Sequence, residues 1–305
     1  MSPFIWAVNH HLGEFDLVHV HSYIYFLANQ VAFLRLLRHF PYILHLHGGL
    51  DYIPPNVLGY PACFMKIFYD ATVGRLTIRT ADRVISCCET DRLKSIHMFG
   101  VDPDKIISIP NCIDSSQFRL SQAHNPVNIT FIGRLSELKG CHQFPYFMEN
   151  LNKNYRNIKF TFVGNGPLSG PLSSFCKRKG YSATFTGVVP NREIPDILAK
   201  SSILVLPSFT EGFPLVCLEA LASGVPVVAY DVGGIKEVVR NNETGYTIPL
   251  NDKKKFLDGI SWLVDNEEER VKMGKRGRSI IQENYDWEVA VPKIEKIYEE
   301  MVGNG

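Results

Sequence analysis

"SILVLPSFTEGFPLVCLEALASGVPVVAY" occupies Ser202–Tyr230. Two short apolar, β-branched runs, Ile203–Ser208 and Val225–Tyr230, flank a helix-forming stretch that begins near Pro214. Proline is tolerated there because the first turn of a helix leaves its N–H groups without intrahelical partners. A strand, a helix and a second strand in this order are the repeating unit of a parallel sheet covered by helices. One residue stands out. Between Phe213 and Val228 the only charge is Glu219, set among Val216, Cys217, Leu218, Ala220 and Leu221, and a carboxylate is costly to bury without a partner. Eight positions earlier lies a second carboxylate, Glu211, at a turn marked by Gly212 and Pro214.

The two glutamates bracket a helix start, whose free N–H groups and dipole make an anion site. At about 1.5 Å of rise per residue, Glu219 lies roughly 7 Å down the axis from that start. A nucleoside diphosphate sugar offers a matching order: sugar hydroxyls, diphosphate, ribose hydroxyls. An ionised glutamate suits either end because it accepts hydrogen bonds from a vicinal diol. A plainer reading makes Glu219 a half-exposed helix residue and Glu211 a charge favoured by the helix dipole.

Outward from this unit, strand and helix patterns alternate along almost all of the chain. "VNITFIG", "IKFTFVG" and "SATFTG" read as buried strands preceding it. Towards the amino terminus, "DLVHVH" (Asp16–His21), "YILHLHG" (Tyr42–Gly48), "RVISCC" (Arg83–Cys88) and "KIISIPN" (Lys105–Asn111) read as four more, separated by helical stretches over 25–38, 63–80 and 91–99. The polar, aperiodic "DSSQFRLSQAHNP" (Asp114–Pro126) is a linker candidate. The division expected is a domain over 1–120, a second over 121–285, and a terminal helix over 286–305 packing back on the first. Two such α/β units are expected to face a cleft, with ligands at the carboxyl ends of the strands.

Composition narrows the partners. In 305 residues, 32 Lys and Arg nearly cancel 31 Asp and Glu, which gives no basic surface for nucleic acid. The seven cysteines include no CxxC pair and fit a reduced, cytoplasmic chain. No run approaches the roughly 20 apolar residues that span a bilayer, and "MSPFIWAVNHH" lacks the features of a signal peptide. The run "EEERVKMGKRGR" (Glu267–Arg278) reads most simply as a solvated helical face.

Further loops support the donor reading. "FIGRLSELKG" (Phe131–Gly140) places Arg134 and Lys139 after a strand, where two cations can hold a diphosphate and stabilise it as a leaving group. "FVGNGP" (Phe162–Pro167) is a glycine turn, weak evidence alone. "FTGVVPNREIPDIL" (Phe185–Leu198) adds another strand-end loop.

Taken together, "GRLSELKG", "VGNGP", "TGVVPNREIPDILAKSSILVLPS" and "EGFPLVCLEALASGVPVVAYDVGG" resemble the carboxyl-terminal half of the family 4 glycosyltransferases, retaining enzymes of the GT-B fold. "DLVHVH", "HLHGG", "ADRVISCCE" and "IPNCID" resemble that family's amino-terminal half. The glutamate pair is the most specific element. The resemblance implies that Arg134 and Lys139 bind the donor diphosphate, beside Gly133 and the turn Gly164, Asn165 and Gly166. It implies that Glu211 faces the donor sugar and Glu219 the ribose. Gly212, Phe213, Pro214, Leu215 and Val216 would supply backbone along the sugar and phosphate, Val188 and Val189 would lie beside the base, and His47 near the sugar.

The fold class expected is therefore α/β, GT-B, with two Rossmann-like domains, the amino-terminal one shortened by about 70 residues, or two and a half units of some 30 residues each. The expected activity is metal-independent transfer of a sugar, with retained configuration, to a glycan, polysaccharide or lipid-linked hydroxyl acceptor. No cofactor beyond the nucleotide-sugar donor is implied. A cytoplasmic location with peripheral association at the inner membrane face is expected, and the shortened domain implies a homo-oligomer or a complementing chain. The alternative is a donor-binding but inactive module or subunit that needs a second chain; a GT-B epimerase is a minor third reading. His19, His21, His45 and His47 invite a metal reading, since i and i+2 on a strand share a face. No Asp or Cys at ligand spacing accompanies them, and no metal is expected. A Ser-His-Asp hydrolase is favoured less still, as there is no G-x-S-x-G elbow.

Overall fold

Alternation in "VHVH" turns Val18 and Val20 to one face of a strand and His19 and His21 to the other. The computed structural model of the chain describes residues 3–50, 59–122 and 125–303. It forms strand β1 at Val18–His21, followed by β2 (Tyr42–Leu46), β3 (Arg83–Ser86) and β4 (Ile106–Ser108). These pair in the order β1-β2-β3-β4, every pair parallel. Tyr42, Leu44, Leu46 and Val84 join residues of helix Phe26–Leu37 in the main core of this sheet, against which Val18 and Val20 pack. On the opposite face, Ile43 and Ile85 meet Ile297 of the last helix, Trp287–Val302, with Leu17, Ile294 and Tyr298 alongside. A helix at Pro3–His11, absent from the sequence reading, precedes β1.

The chain divides into two compact units. The first comprises Met1–Asn111, Glu211–Phe213 and Glu288–Gly305; the second comprises Cys112–Thr210 and Pro214–Trp287. The first break thus falls at residue 111, and the Glu211–Phe213 turn is grouped with the first unit.

The second unit holds β5 (Val127–Ile132), β6 (Ile158–Val163), β7 (Ala183–Gly187), β8 (Ile203–Leu206), β9 (Val227–Tyr230) and β10 (Gly245–Ile248). They form one parallel sheet in the order β10-β9-β8-β5-β6-β7. Counted from β5, this is the doubly wound order 3-2-1-4-5-6, whose switch point lies between β5 and β8. Its core is aromatic: Phe144 meets Phe131 and Phe162 edge-on, and Phe256 stacks on Phe147 beside Tyr230.

Two expectations need correction. The linker candidate Asp114–Pro126, of which residues 123 and 124 lie outside the described residues, is not a free tether. Phe118 is buried, Ser121 donates its backbone N–H to Ser223 and its hydroxyl to Ser201, and Arg278 donates to the Phe118 carbonyl at 2.7 Å. Nor is Glu267–Arg278 simply a solvated face. Within helix Glu267–Asn284, Arg270, Met273, Gly274 and Gly277 are buried, and Arg270 donates to the Leu263 carbonyl. Gly274 is small because a Cβ there would meet the Gly224 carbonyl oxygen at 1.9 Å.

Candidate donor-binding site

In the second unit, loops after four neighbouring strands are knitted by backbone hydrogen bonds. Gly133 donates to Val163, Leu135 to Asn165, Gly164 to Gly187, and Phe209 to Leu138. Gly140, at φ +68°, approaches the loop after β8 so closely that a Cβ would lie 1.8 Å from the Pro207 carbonyl oxygen. The loop Gly133–Gly140 is thereby fixed against the β6 turn on one side and the β8 loop on the other. It carries Arg134, which is exposed, and Lys139, which is half-buried. Gly164, Asn165 and Gly166 form the adjoining turn, where the Asn165 side chain accepts from the Gly166 N–H and the Ser169 hydroxyl. Val188, 79% exposed, and Val189 follow β7. Arg134, Lys139, Gly164–Gly166 and the Val188–Val189 loop are thus gathered at the carboxyl end of one sheet.

The helix after β8 runs Leu215–Ala222, with Pro214 as its N-cap residue. Cys217, Leu218, Ala220, Leu221 and Ala222 are buried, while Glu219 and Val216 are half-buried and Leu215 is exposed. Burial raises the Glu219 carboxyl above the ordinary carboxylate value. Among the described residues no hydrogen bond or ion pair reaches that carboxylate, which leaves its acceptor lone pairs open to a ligand.

The first unit holds the remaining candidates. Strand β2 ends at Leu46 and leads into His47, Gly48 and Gly49. Gly48 lies directly against Gly212: a Cβ on Gly48 would be 2.7 Å from the Gly212 Cα, and one on Gly212 would be 2.8 Å from the His47 carbonyl oxygen. Two backbones meet there, and only glycine at both positions permits it. Asn111 donates to the Phe213 carbonyl at 3.1 Å, and Cys88 lies 3.9 Å from that of Gly212. Glu211, half-buried, begins this turn. His47 and the Glu211–Phe213 segment are therefore brought together.

Around His47 the sheet carries a patch of imidazoles. His47 stacks on His45 at 4.3 Å between ring centroids and on His21 at 5.1 Å, with His47 Nε2 2.8 Å from His21 Nδ1. Burial and the neighbouring rings lower His45 to about 3 and His19 to about 4, and His47 is lowered too. At neutral pH the His19 and His45 rings are uncharged. Cys87 and Asn111, which sequence reasoning did not select, complete the surroundings. The Cys87 sulfur lies 3.4 Å from His47 Nδ1 and donates to the Leu46 carbonyl at 2.9 Å, while burial pushes its thiol up to about 12. The adjacency of β2 and β3 brings it there, and nothing local in "RVISCC" announces it.

Two parallel, Rossmann-like sheets, of four and six strands, match the GT-B architecture of the chain's structural neighbours. Comparison with known proteins agrees. Residues 113–280 match the model of the glycosyl transferases group 1 family, and residues 1–117 match that of glycosyltransferase family 4. The chain belongs to this glycosyltransferase family. It is 26% identical over 226 residues to a glycogen synthase of Mycobacterium tuberculosis, a match covering 72% of this chain and 55% of that one. The chain thus spans about half the length of that relative. Among solved structures, sucrose-phosphate synthase from Thermosynechococcus elongatus superposes with a TM-score of 0.84 at 19% identity, covering 99% of this chain and 78% of that one. HepE of Anabaena, solved in complex with UDP, superposes with a TM-score of 0.81 at 19% identity, covering 98% and 82%. Among the described residues no helix is long and apolar enough to cross a membrane.

Proposed function

We propose that the chain transfers a sugar from a nucleotide-sugar donor to a hydroxyl of a glycan or lipid-linked acceptor, with the anomeric configuration retained. The observation that carries this reading is Glu219: a half-buried carboxylate without a described partner, one helical turn inside the helix start at the β8 switch point. Its acceptor lone pairs suit the ribose diol. Arg134 and Lys139, held on the loop that Gly140 and Leu135 anchor, bind the diphosphate and stabilise the negative charge that develops on it as the glycosidic bond breaks. Val188 and Val189 flank the base. Glu211, with the Gly212–Val216 backbone, addresses the donor sugar, and His47 stands on the same side. UDP bound to the similarly folded HepE supports a nucleotide-containing ligand.

No carboxylate of the set is assigned as a nucleophile. The acceptor hydroxyl attacks the anomeric carbon from the face the diphosphate leaves, the leaving phosphate oxygen takes the acceptor proton, and configuration is kept. The transfer step itself calls on no cofactor and no metal, because the two cations supply the positive charge. The site faces the cytoplasm, at the membrane surface where the acceptor is lipid-linked.

A panel of nucleotide sugars offered to the purified full chain, with product stereochemistry read by NMR, tests the proposal. An α-linked donor should give an α-linked product, at an undiminished rate in excess EDTA. An inverted product, or activity abolished by EDTA and restored by a divalent ion, would overturn the mechanism. Tight nucleotide binding without any transfer would favour an inactive donor-binding module.

A further inference from the structure

The imidazole patch of the first unit extends well beyond His47, the one histidine of the proposed donor site. His21 and His45 are directly opposite each other in the parallel register of β1 and β2, and His19 lies two residues before His21 on the same face. Their rings close a triangle with centroid separations of 4.5, 5.4 and 5.5 Å. One ligand nitrogen from each lies within 4.8 Å of the other two. Two nitrogens of this triangle, His19 Nε2 and His45 Nδ1, are fully buried with no hydrogen-bond partner. Buried polar atoms are ordinarily satisfied, and an orphan calls for an explanation such as an ion.

The opposite edge of each ring is already engaged. His19 Nδ1 pairs with the Tyr298 hydroxyl at 2.5 Å, His21 Nδ1 with His47 Nε2 at 2.8 Å, and His45 Nε2 faces the Cys87 sulfur at 3.7 Å. This is the arrangement seen around metal-bound histidines: an outer partner holds one nitrogen, fixes the tautomer, and leaves the other nitrogen's lone pair for the ion.

We propose that His19, His21 and His45 form a binding site for a divalent first-row transition ion of the zinc class. Three imidazoles suit Zn²⁺, Co²⁺, Ni²⁺ or Cu²⁺ and not Mg²⁺, which prefers oxygen ligands. At Zn–N distances of about 2.0–2.1 Å the three rings close slightly on the ion, and the fourth tetrahedral position is left to water on the exposed His21 side. The ion ties β1, which among the described strands pairs on one side only, to β2. Its ligands are distinct from Arg134 and Lys139, which keep their proposed role in the transfer step. A second group, His45, His47 and Cys87, also offers three ligand atoms within 4.8 Å. It is the weaker candidate, because the Cys87 thiol already donates to the Leu46 carbonyl.

The test uses the full chain stripped of metal and titrated with Zn²⁺ alone by calorimetry, then with Co²⁺ in an absorption cell. We expect one Zn²⁺ per chain, a rise in Tm on binding, and no effect of Mg²⁺. His21→Ala, an exposed position whose fold is checked by circular dichroism, should weaken binding at least tenfold, as should His19→Gln. The exposed pair on the first helix is the control: His10→Ala with His11→Ala should leave affinity unchanged. Cobalt should give visible tetrahedral bands without a thiolate charge-transfer band. Absence of Zn²⁺ binding, binding lost only in the His10/His11 variant, or a thiolate band placing the ion on Cys87 would each overturn the assignment.

Discussion

Glu211 and Glu219 are eight residues apart yet stand in different surroundings, and the difference is measurable. Glu219→Ala should weaken free nucleoside diphosphate and intact donor alike, by about ten- to a hundredfold for a lost hydrogen bond of about 1.5–3 kcal/mol to a charged group. Glu211→Ala should spare the free nucleotide and penalise the donor. Arg134→Ala and Lys139→Ala should do both and also slow transfer, since each is proposed to meet the leaving group. Calorimetry with the nucleotide and with its sugar adduct separates these patterns; interchangeable glutamates would refute the assignment. Because burial raises the Glu219 carboxyl, donor affinity should also fall as pH drops through a range above that of an ordinary glutamate.

The histidines give a second pH effect at the same scale, of opposite origin. His19 and His45 have folded values near 4 and 3, against 6.5 when unfolded. Between those limits the unfolded chain binds more protons, so stability is complete above about 6.5 and drains away as pH falls. Most carboxylates titrate lower, so the window from pH 7 to 5 isolates the effect. The urea midpoint of the metal-stripped chain should drop across that window, and His45→Gln should flatten the dependence. A midpoint constant from pH 7 to 5 would show that the rings protonate without cost.

At the scale of elements, the loops matter more than the strands they follow. Gly140→Ala forces a side chain into a left-handed backbone position and onto the Pro207 carbonyl oxygen. It should cost about 3 kcal/mol, in the upper part of the ordinary range for single substitutions. Donor binding should weaken as well, because the same loop carries Arg134 and Lys139. Chemical denaturation and nucleotide titration of this one variant check both; a stable variant that binds normally would mean the loops are not coupled. The strands themselves were legible, since nine of them announce themselves as β-branched runs at turn residues. Strand β10 did not: four residues long, it opens on Gly245, whose Cβ would lie 2.0 Å from the Val227 carbonyl oxygen, so close packing removed the side-chain signal. The candidate site divides similarly. "GRLSELKG" and the glutamate pair are local patterns and could be read directly. Cys87 beside His47 is 40 residues away in sequence and becomes visible only through the pairing of β2 with β3.

For the molecule as a whole, the first unit's surface is where association is expected. Helix Phe26–Leu37 exposes Phe26, Phe33, Leu36 and Leu37, and helix Tyr60–Tyr69 exposes Tyr60, Phe64, Met65, Ile67 and Phe68, with Phe26 at 69% and Phe64 at 70%. Scattered apolar residues on a surface need no explanation, but this concentration on two helices does. Among the described strands, β1 pairs only with β2, so its outer edge offers unpaired backbone groups to a further strand. Both features favour association over an isolated chain, and both lie in the first unit. The full chain should therefore self-associate in sedimentation, whereas a fragment spanning Cys112–Trp287, which holds the six-stranded sheet and its aromatic core, should fold and remain monomeric. Charged replacements on the two helices, Phe33→Glu and Phe64→Glu, should shift the full chain towards monomer, and β1 amides should exchange faster in that monomer than in the assembly. A stable monomer of the unmodified chain, with Val18–His21 amides already protected, would show that the exposed face and edge tolerate water and that association is not built into the fold.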